Sequence, residues 1–528
     1  GDDLRPLTRV KAETDLQFLD DLLTATPYRL IERPRVLILE PGGGLDVLLA
    51  TRHRAREVVA VESNPLLVQL VGERFDREAG GLYGRPQVTV IQEMGRSYLR
   101  RCPEPFDIVQ VSLYDSFRPV TSGAYSLAEN YYYTVDAFRE YLLHLTPGGY
   151  LVIHRWLQRP PSEDLRALAM AVEALEGLGI EQPSAHIAAL RSFSTALLLV
   201  KGSPLNAEEI AGLKAFATER RFDLIYYPGM IEAEADRYFA SPEPIYYRTY
   251  RQVFESSDRG AFYRSYPFDV SPPSDDKPFF FHFFTLAQLP QILANYGRTF
   301  QPFGGSGFLV LWALLLLVLL ASLLLILAPL VRLGGFGQLI KERRLALYFV
   351  SIGLAFLLVE IPLIQRFILF LGHPVYALGT VLFSVLVFSG LGSAISGRVP
   401  MIRAISTLGL AVLFYPTVLS IFFDLALGYP LGLRLVLSVL VLAPLATLMG
   451  IPFPRGIAIA RQSNAPIPWL WGINGFASVL SAVLAAILAL SIGFSWVLVL
   501  GGAAYLLSAA LIAPLARDRG RLSSQPRR

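Results

Sequence analysis

Glu40-Pro41-Gly42-Gly43-Gly44-Leu45-Asp46 closes an apolar run, and 22 residues after Glu40 a second apolar run closes on Glu62. A glycine turn at the C-terminal end of a strand lets a ligand approach the backbone, and the helix start that follows favours polar or anionic groups. A carboxylate ending the next strand accepts protons from both hydroxyls of a ribose. Together the two stretches predict a nucleoside pocket. The alternative is an acid that caps the next helix, because Glu62-Ser63-Asn64-Pro65 also reads as a helix start. A later run leads into Ser112-Leu113-Tyr114-Asp115-Ser116. There Asp115 is placed for acid/base work or cation binding, or as a loop cap. Glu129, just before Tyr131, Tyr132 and Tyr133, is a second candidate acid; the tyrosines either wall a pocket or pack. Glu40, Gly42, Gly43, Gly44, Asp46, Glu62, Glu93 and Ser112 form the candidate cofactor-binding set, with Asp115 and Glu129 as catalytic candidates and no metal expected.

These residues need a sheet to hold them. Strand-like runs at 36–40, 58–62, 88–92, 107–113 and 150–154 alternate with helical stretches such as 136–145 and 163–178. That alternation predicts a doubly wound parallel α/β sheet. Two further runs, 186–192 and 195–201, are separated by a short connection and are expected to pair antiparallel. Residues 203–305 read as a connector. Within it, Ser274 to Phe284 is polar and then strongly aromatic, either packing on the domain or lying at a membrane interface.

Composition splits the chain. Of 47 basic and 43 acidic residues, 15 and 4 lie beyond residue 300, leaving 32 and 39 before it. The sequence pI near 9.0 thus belongs to the C-terminal part and gives no argument for nucleic acid. A hydrophobic share of 53% and a mean hydropathy of +0.45 exceed those of an ordinary soluble protein. Seven apolar stretches long enough to span a bilayer are expected at 307–331, 345–365, 374–396, 404–424, 431–451, 469–492 and 494–516, before a basic tail at 517–528. The lone Cys102 excludes an intrachain disulfide. The chain opens on Gly1 with no signal-peptide pattern, which leaves further spans ahead of it open.

Arginine and lysine concentrate after the odd-numbered spans and in the tail, which predicts that these face the cytoplasm. With seven spans the soluble domain then lies on the other side, at odds with an intracellular nucleoside. The side of that domain stays open. Glu360 and Arg366 in the second span read as an ion pair or anchor, or as a polar pathway. Gly450-Ile451-Pro452-Phe453-Pro454 reads as a loop or a broken helix end.

Over residues 15–202 the chain resembles the spermidine synthases and their class I methyltransferase relatives. The resemblance rests on Gly42–Gly44, Glu62, Val88-Thr-Val-Ile, Gly95-Arg96-Ser-Tyr-Leu, Phe106-Asp-Ile-Val and Leu145-Thr-Pro-Gly-Gly-Tyr-Leu-Val-Ile. The apolar half is similar to a hydrophobic module fused to many bacterial members, through Gly353 to Glu360, Arg366, Gly372 and Gly390-Leu-Gly392-Ser393. The resemblance implies a seven-stranded Rossmann-like domain attached to an all-α transmembrane bundle in a bacterial inner membrane. It also implies S-adenosylmethionine or its decarboxylated form as cofactor. The implied partners are a small-molecule amine or membrane-associated acceptor and a second copy of the chain. Three departures stand out. Ser112, Asp115 and Ser116 occupy the family's Asp-x-x-Asp-Pro, Met94 stands where the family has an aspartate near the adenine, and Leu45-Asp46 follows the glycines. Two readings follow: a membrane-tethered transferase of unknown acceptor, or a nucleoside-binding sensor domain on a transport or scaffold module.

Overall fold

A computed structural model describes residues 7–10, 13–113, 127–285, 290, 305–463 and 465–523. The chain forms two compact units, Gly1–Gly307 and Phe308–Arg528. The first is built on an eight-stranded sheet: β1 Arg35–Leu39, β2 Glu57–Val61, β3 Val88–Ile91, β4 Phe106–Val111, β5 Leu145–Trp156, β6 Ile187–Arg191, β7 Thr195–Lys201 and β8 Asp223–Tyr226. Their order is β3-β2-β1-β4-β5-β7-β6-β8. All seven expected strands are present, and β8 adds an eighth at the edge. Strands β1 to β5 pair in parallel, while β7 runs antiparallel to both β5 and β6. This is the Rossmann-like sheet of the class I methyltransferase fold, with helices covering both faces. The apolar runs of the central strands are buried on both sides, as a helix-covered parallel sheet requires. Strand order reverses between β1 and β4, so the crevice beyond their C-terminal ends is where this architecture receives ligands.

The aromatic segment near residue 280 packs on this unit. Phe280, Phe281 and Phe283 are buried in the core with Phe138, Tyr141 and Leu168. Arg155 lies under the rings of Tyr133, Phe280 and Phe281 at 4.8, 5.1 and 5.3 Å, and its Nε donates to Glu163 at 3.0 Å. The polar half of the segment is tied down as well. Arg96 Nε donates to Glu140 at 2.8 Å and its Nη1 to Asp275 at 2.7 Å, while the Thr134 hydroxyl also donates to Asp275 at 2.7 Å. Arg96 is 2% exposed, so removing it leaves Asp275 without its cation and Glu140 with Arg100 alone. Arg96→Ala is expected to destabilise the first unit by about 3–5 kcal/mol. Pulse proteolysis of the full chain in urea, followed by blotting for first-unit fragments, measures it; a change under about 1 kcal/mol would mean the network is solvated.

In the second unit, seven helices among the described residues are long and apolar enough to cross a membrane, from Gly307–Arg332 to Phe494–Leu515. The helix Leu431–Met449 stops at Gly450, and another begins at Pro452, where a missing N–H costs nothing. The expected break is therefore a helix end followed at once by a new start. Glu360 and Arg366 do not pair: Arg366 donates to Ser420 Oγ at 2.9 Å and Ser495 Oγ at 3.3 Å.

Candidate functional site

The parallel ladder continues one residue past three adjacent strands. Glu40 N donates to Val61 O at 2.9 Å, Glu62 N to Ile91 O at 3.0 Å, and Ser112 N to Leu39 O at 3.1 Å. Glu40, Glu62 and Ser112 thus stand side by side at the switch point because their backbones are still in register. At Glu40 the chain then turns sharply. Its φ of 53° lies in the left-handed region that side chains avoid, and strain of this kind concentrates at functional sites. Gly42 and Gly44 follow at φ 56° and 84°. A Cβ at Gly44 would come within 2.5 Å of Leu82 Cδ2 and within 3.9 Å of Val71. Glycine is required there twice over, by conformation and by space.

Glu62 is fully buried and faces the turn. Its Oε2 accepts from Gly42 N at 3.1 Å and its Oε1 from Asn64 N at 3.0 Å. Asn64, not Glu62, caps the next helix, accepting from Leu66 N at 3.0 Å. A carboxylate has about four acceptor sites, more than these two amides occupy. Glu40 lies beside it, with Oε1 accepting from Ser63 N at 3.3 Å and from the Tyr132 hydroxyl. Burial, then the charge of Glu62, pushes the Glu40 carboxyl up to about 8, so it holds a proton at neutral pH.

That shift has a sign in stability. A carboxyl that titrates near 8 when folded and near 4.5 otherwise stabilises the fold fully below about pH 4.5 and loses that contribution as pH rises through about 8. Glu129, pushed up to about 7 by burial, acts in the same direction. Asp164, which burial also pushes up to about 7, adds to this. The unliganded first unit is therefore expected to weaken from pH 5 towards pH 8, and Glu40→Gln to remove part of the slope. Urea unfolding across that range checks this; an identical slope in the variant contradicts it.

The other candidates are distributed as follows. Asp46 opens the helix after the turn and is buried, which raises its carboxyl; Ser112 and Gln110 face it and offset part of that rise. They do so without hydrogen-bonding geometry, since Gln110 Nε2 and Oε1 and Ser112 Oγ are buried with no partner. Unpaired buried polar atoms mark a place that water or a ligand completes. Glu93 is ion-paired with Arg101. Glu129 keeps one buried oxygen, Oε1, without a partner. Asp115 lies outside the described residues. Glu40, Gly42 and Glu62 are thus joined through one hydrogen-bonded cluster with Gly44 at its turn, while Ser112 faces Asp46 without bonding to it. Among the described residues, no hydrogen bond or ion pair links Glu129 to either group. Two participants were not read from the sequence. Tyr132 closes over Glu40 from 92 positions away, and the tyrosine run was the one signal for it. Gln110 sits inside a strand where alternation gave no warning. Among the described residues no cluster of three or more metal-ligating side chains occurs.

No protein-family model matches the chain. Over 164 residues it is 29% identical to the polyamine aminopropyltransferase 2 of Pseudomonas aeruginosa, covering 30% of this chain and 44% of that protein. The chain thus spans less than half the length of this curated relative. Among solved structures it is similar to a spermidine synthase from Thermotoga maritima, at 15% identity and a TM-score of 0.30 over 43% of this chain and 72% of that one. A probable spermidine synthase from Corynebacterium glutamicum gives 14% identity and a TM-score of 0.28 over 38% and 70%. By sequence, part of the first unit is similar to a polyamine aminopropyltransferase, and seven apolar helices suit a membrane-integrated C-terminal region.

Proposed function

We propose that the chain is a membrane-integrated transferase of the aminopropyltransferase type, using S-adenosylmethionine or its decarboxylated form and an amine acceptor. One observation carries this reading: the fully buried Glu62 carboxylate accepts a hydrogen bond from the Gly42 amide of the glycine turn. The two halves of a ribose-binding corner therefore share one place. The orphaned Gln110 and Ser112 atoms fit a polar ligand beside it. When bound, the sulfonium nucleoside supplies a carbon open to attack by an amine.

The chain's own residues would do the rest. Glu62 would take the ribose hydroxyls. Glu40, by keeping its proton, spares Glu62 a second like charge and leaves it an acceptor. Gly42 and Gly44, with Gly43 between them, let the backbone lie against the ligand, and Asp46, Glu93 and Ser112 complete the candidate set. Asp115 and Glu129 are the proposed acids that orient the amine and take its proton. A carboxyl titrating at about 7, as Glu129 does, suits that exchange near neutral pH. Positioning would supply most of the rate. The proposal extends to a multi-pass bacterial inner-membrane protein with the basic tail in the cytoplasm; a reporter fused after Arg528 that is active only in the periplasm contradicts that part.

A second reading has its own observation. Ser112 stands where the relatives' base is expected, and its buried hydroxyl has no partner to activate it. A nucleoside-binding sensor would need no base. The full chain, incubated with each sulfonium and a panel of mono- and diamines, is assayed by mass spectrometry for methylthioadenosine or S-adenosylhomocysteine. Amine-dependent release supports the transferase. Binding without release selects the sensor, and absence of both removes the two readings together.

A further inference from the structure

Within the second unit lies a cleft of about 430 Å3, lined on one side by Ile352, Gly353 and Phe356 of the second span and on another by Gly450 and Phe453 at the helix break. Its polar lining is Ser389, Ser393, Asn474, Ser478 and Tyr505, with no Lys, Arg or His. Asn474 Nδ2 donates to Phe349 O at 2.9 Å and Ser478 Oγ to Gly353 O at 3.1 Å. With its only proton given away, Ser478 presents lone pairs, and so does the Asn474 carbonyl oxygen. The lining thus offers acceptors and carries no positive charge.

Glu360 follows Phe356 by four residues, one turn on along the same helix face. It is 7% exposed and shares that face with the cleft residues Gly353 and Phe356. Among the described residues no cation or hydrogen-bond donor pairs with Glu360, and Arg366 is directed to serines instead. An ionised carboxylate inside a bundle costs several kcal/mol unless a cation meets it. The missing counter-charge, the acceptor lining, two aromatic faces and an apolar wall describe one occupant. We propose that the cleft binds an organic ammonium, with its charged head near Glu360 and Tyr505 and its alkyl chain along Ile352, Phe356 and Phe453. Aromatic rings stabilise such a cation through their faces. This site is separate from the nucleoside corner and does not depend on the activity proposed for it.

The test uses the full chain in nanodiscs and calorimetry with n-hexylammonium, against neutral n-hexanol and anionic hexanoate. Glu360→Gln keeps size and removes charge. Gly390→Phe fills the cleft from a position where an added Cβ meets nothing within 4 Å, and leaves the carboxylate in place. Hexylammonium is expected to bind the wild type and the Glu62→Ala variant alike, and to bind each cleft variant about thirtyfold more weakly or worse. Hexanol binding is expected to be indifferent to Glu360→Gln, which shows that the variant is folded. The proposal is overturned if hexylammonium fails to bind the wild type at millimolar concentration, binds both cleft variants as well as the wild type, or binds no better than hexanoate.

Discussion

Replacing Glu62 with alanine is expected to lower the affinity of the full chain for methylthioadenosine by about 100-fold, from the loss of two hydrogen bonds to a charged acceptor at about 1.5 kcal/mol or more each. The residue is 0% exposed and holds the glycine turn through the Gly42 amide and the next helix start through the Asn64 amide. Glu62→Gln separates shape from charge. The amide fills the same space but offers one acceptor oxygen, and its NH2 meets one of the two N–H donors, Gly42 or Asn64, donor against donor. Its affinity is expected to fall between those of the wild type and the alanine variant. Calorimetry on the three proteins measures the series. Equal affinities across it would show that the nucleoside, if bound at all, is held by something other than the second strand's acid.

The second large effect lies in the membrane unit. A Cβ at Gly392 would overlap the Thr447 carbonyl oxygen, and one at Gly450 would overlap the Ser389 carbonyl oxygen. The helices Pro374–Ile395 and Leu431–Met449 therefore cross with backbone against backbone at both places. Small residues permit such approach where lipid offers no hydrophobic drive to association. Gly392→Val is expected to cost about 3 kcal/mol or more, because neither partner atom belongs to a side chain that can swing away. Gly390→Ala, two residues off and facing open space, is expected to stay within about 0.5 kcal/mol of the wild type. Unfolding of the full chain in mixed micelles of increasing SDS compares them; equal midpoints would mean the two helices do not touch as described.

How much of this was legible in the sequence depends on the range of the interactions. The seven strands were readable because burial on two faces demands apolar runs and because glycine and proline punctuate them. The corner of Gly42, Gly44 and Glu62 was readable because its parts close consecutive strands, so their spatial meeting follows from parallel pairing alone. What was not readable came from contacts across long sequence separations. Nothing near Tyr132 announces Glu40 as its acceptor. The phenylalanines after Pro278 fit equally well in a protein core or at a membrane surface, and long-range contacts such as the cation–π stack with Arg155 and the hydrogen bond from Asn130 N to Pro278 O at 2.7 Å separate the two. Strand β8 was missed because four residues, Asp223–Tyr226, are too few to show a period. In the second span, Glu360 and Arg366 invited pairing by proximity in sequence. A six-residue offset on a helix points them about 120° apart, and serines of other helices took the arginine.

The most direct measurement is a cryo-EM map of the full chain with methylthioadenosine. The ribose hydroxyls are expected within hydrogen-bonding distance of the Glu62 carboxylate, with the Gly42–Gly44 backbone against the nucleoside. Density for the ligand anywhere else, or a corner still closed by Tyr132 and Glu40 at saturating ligand, would contradict the account.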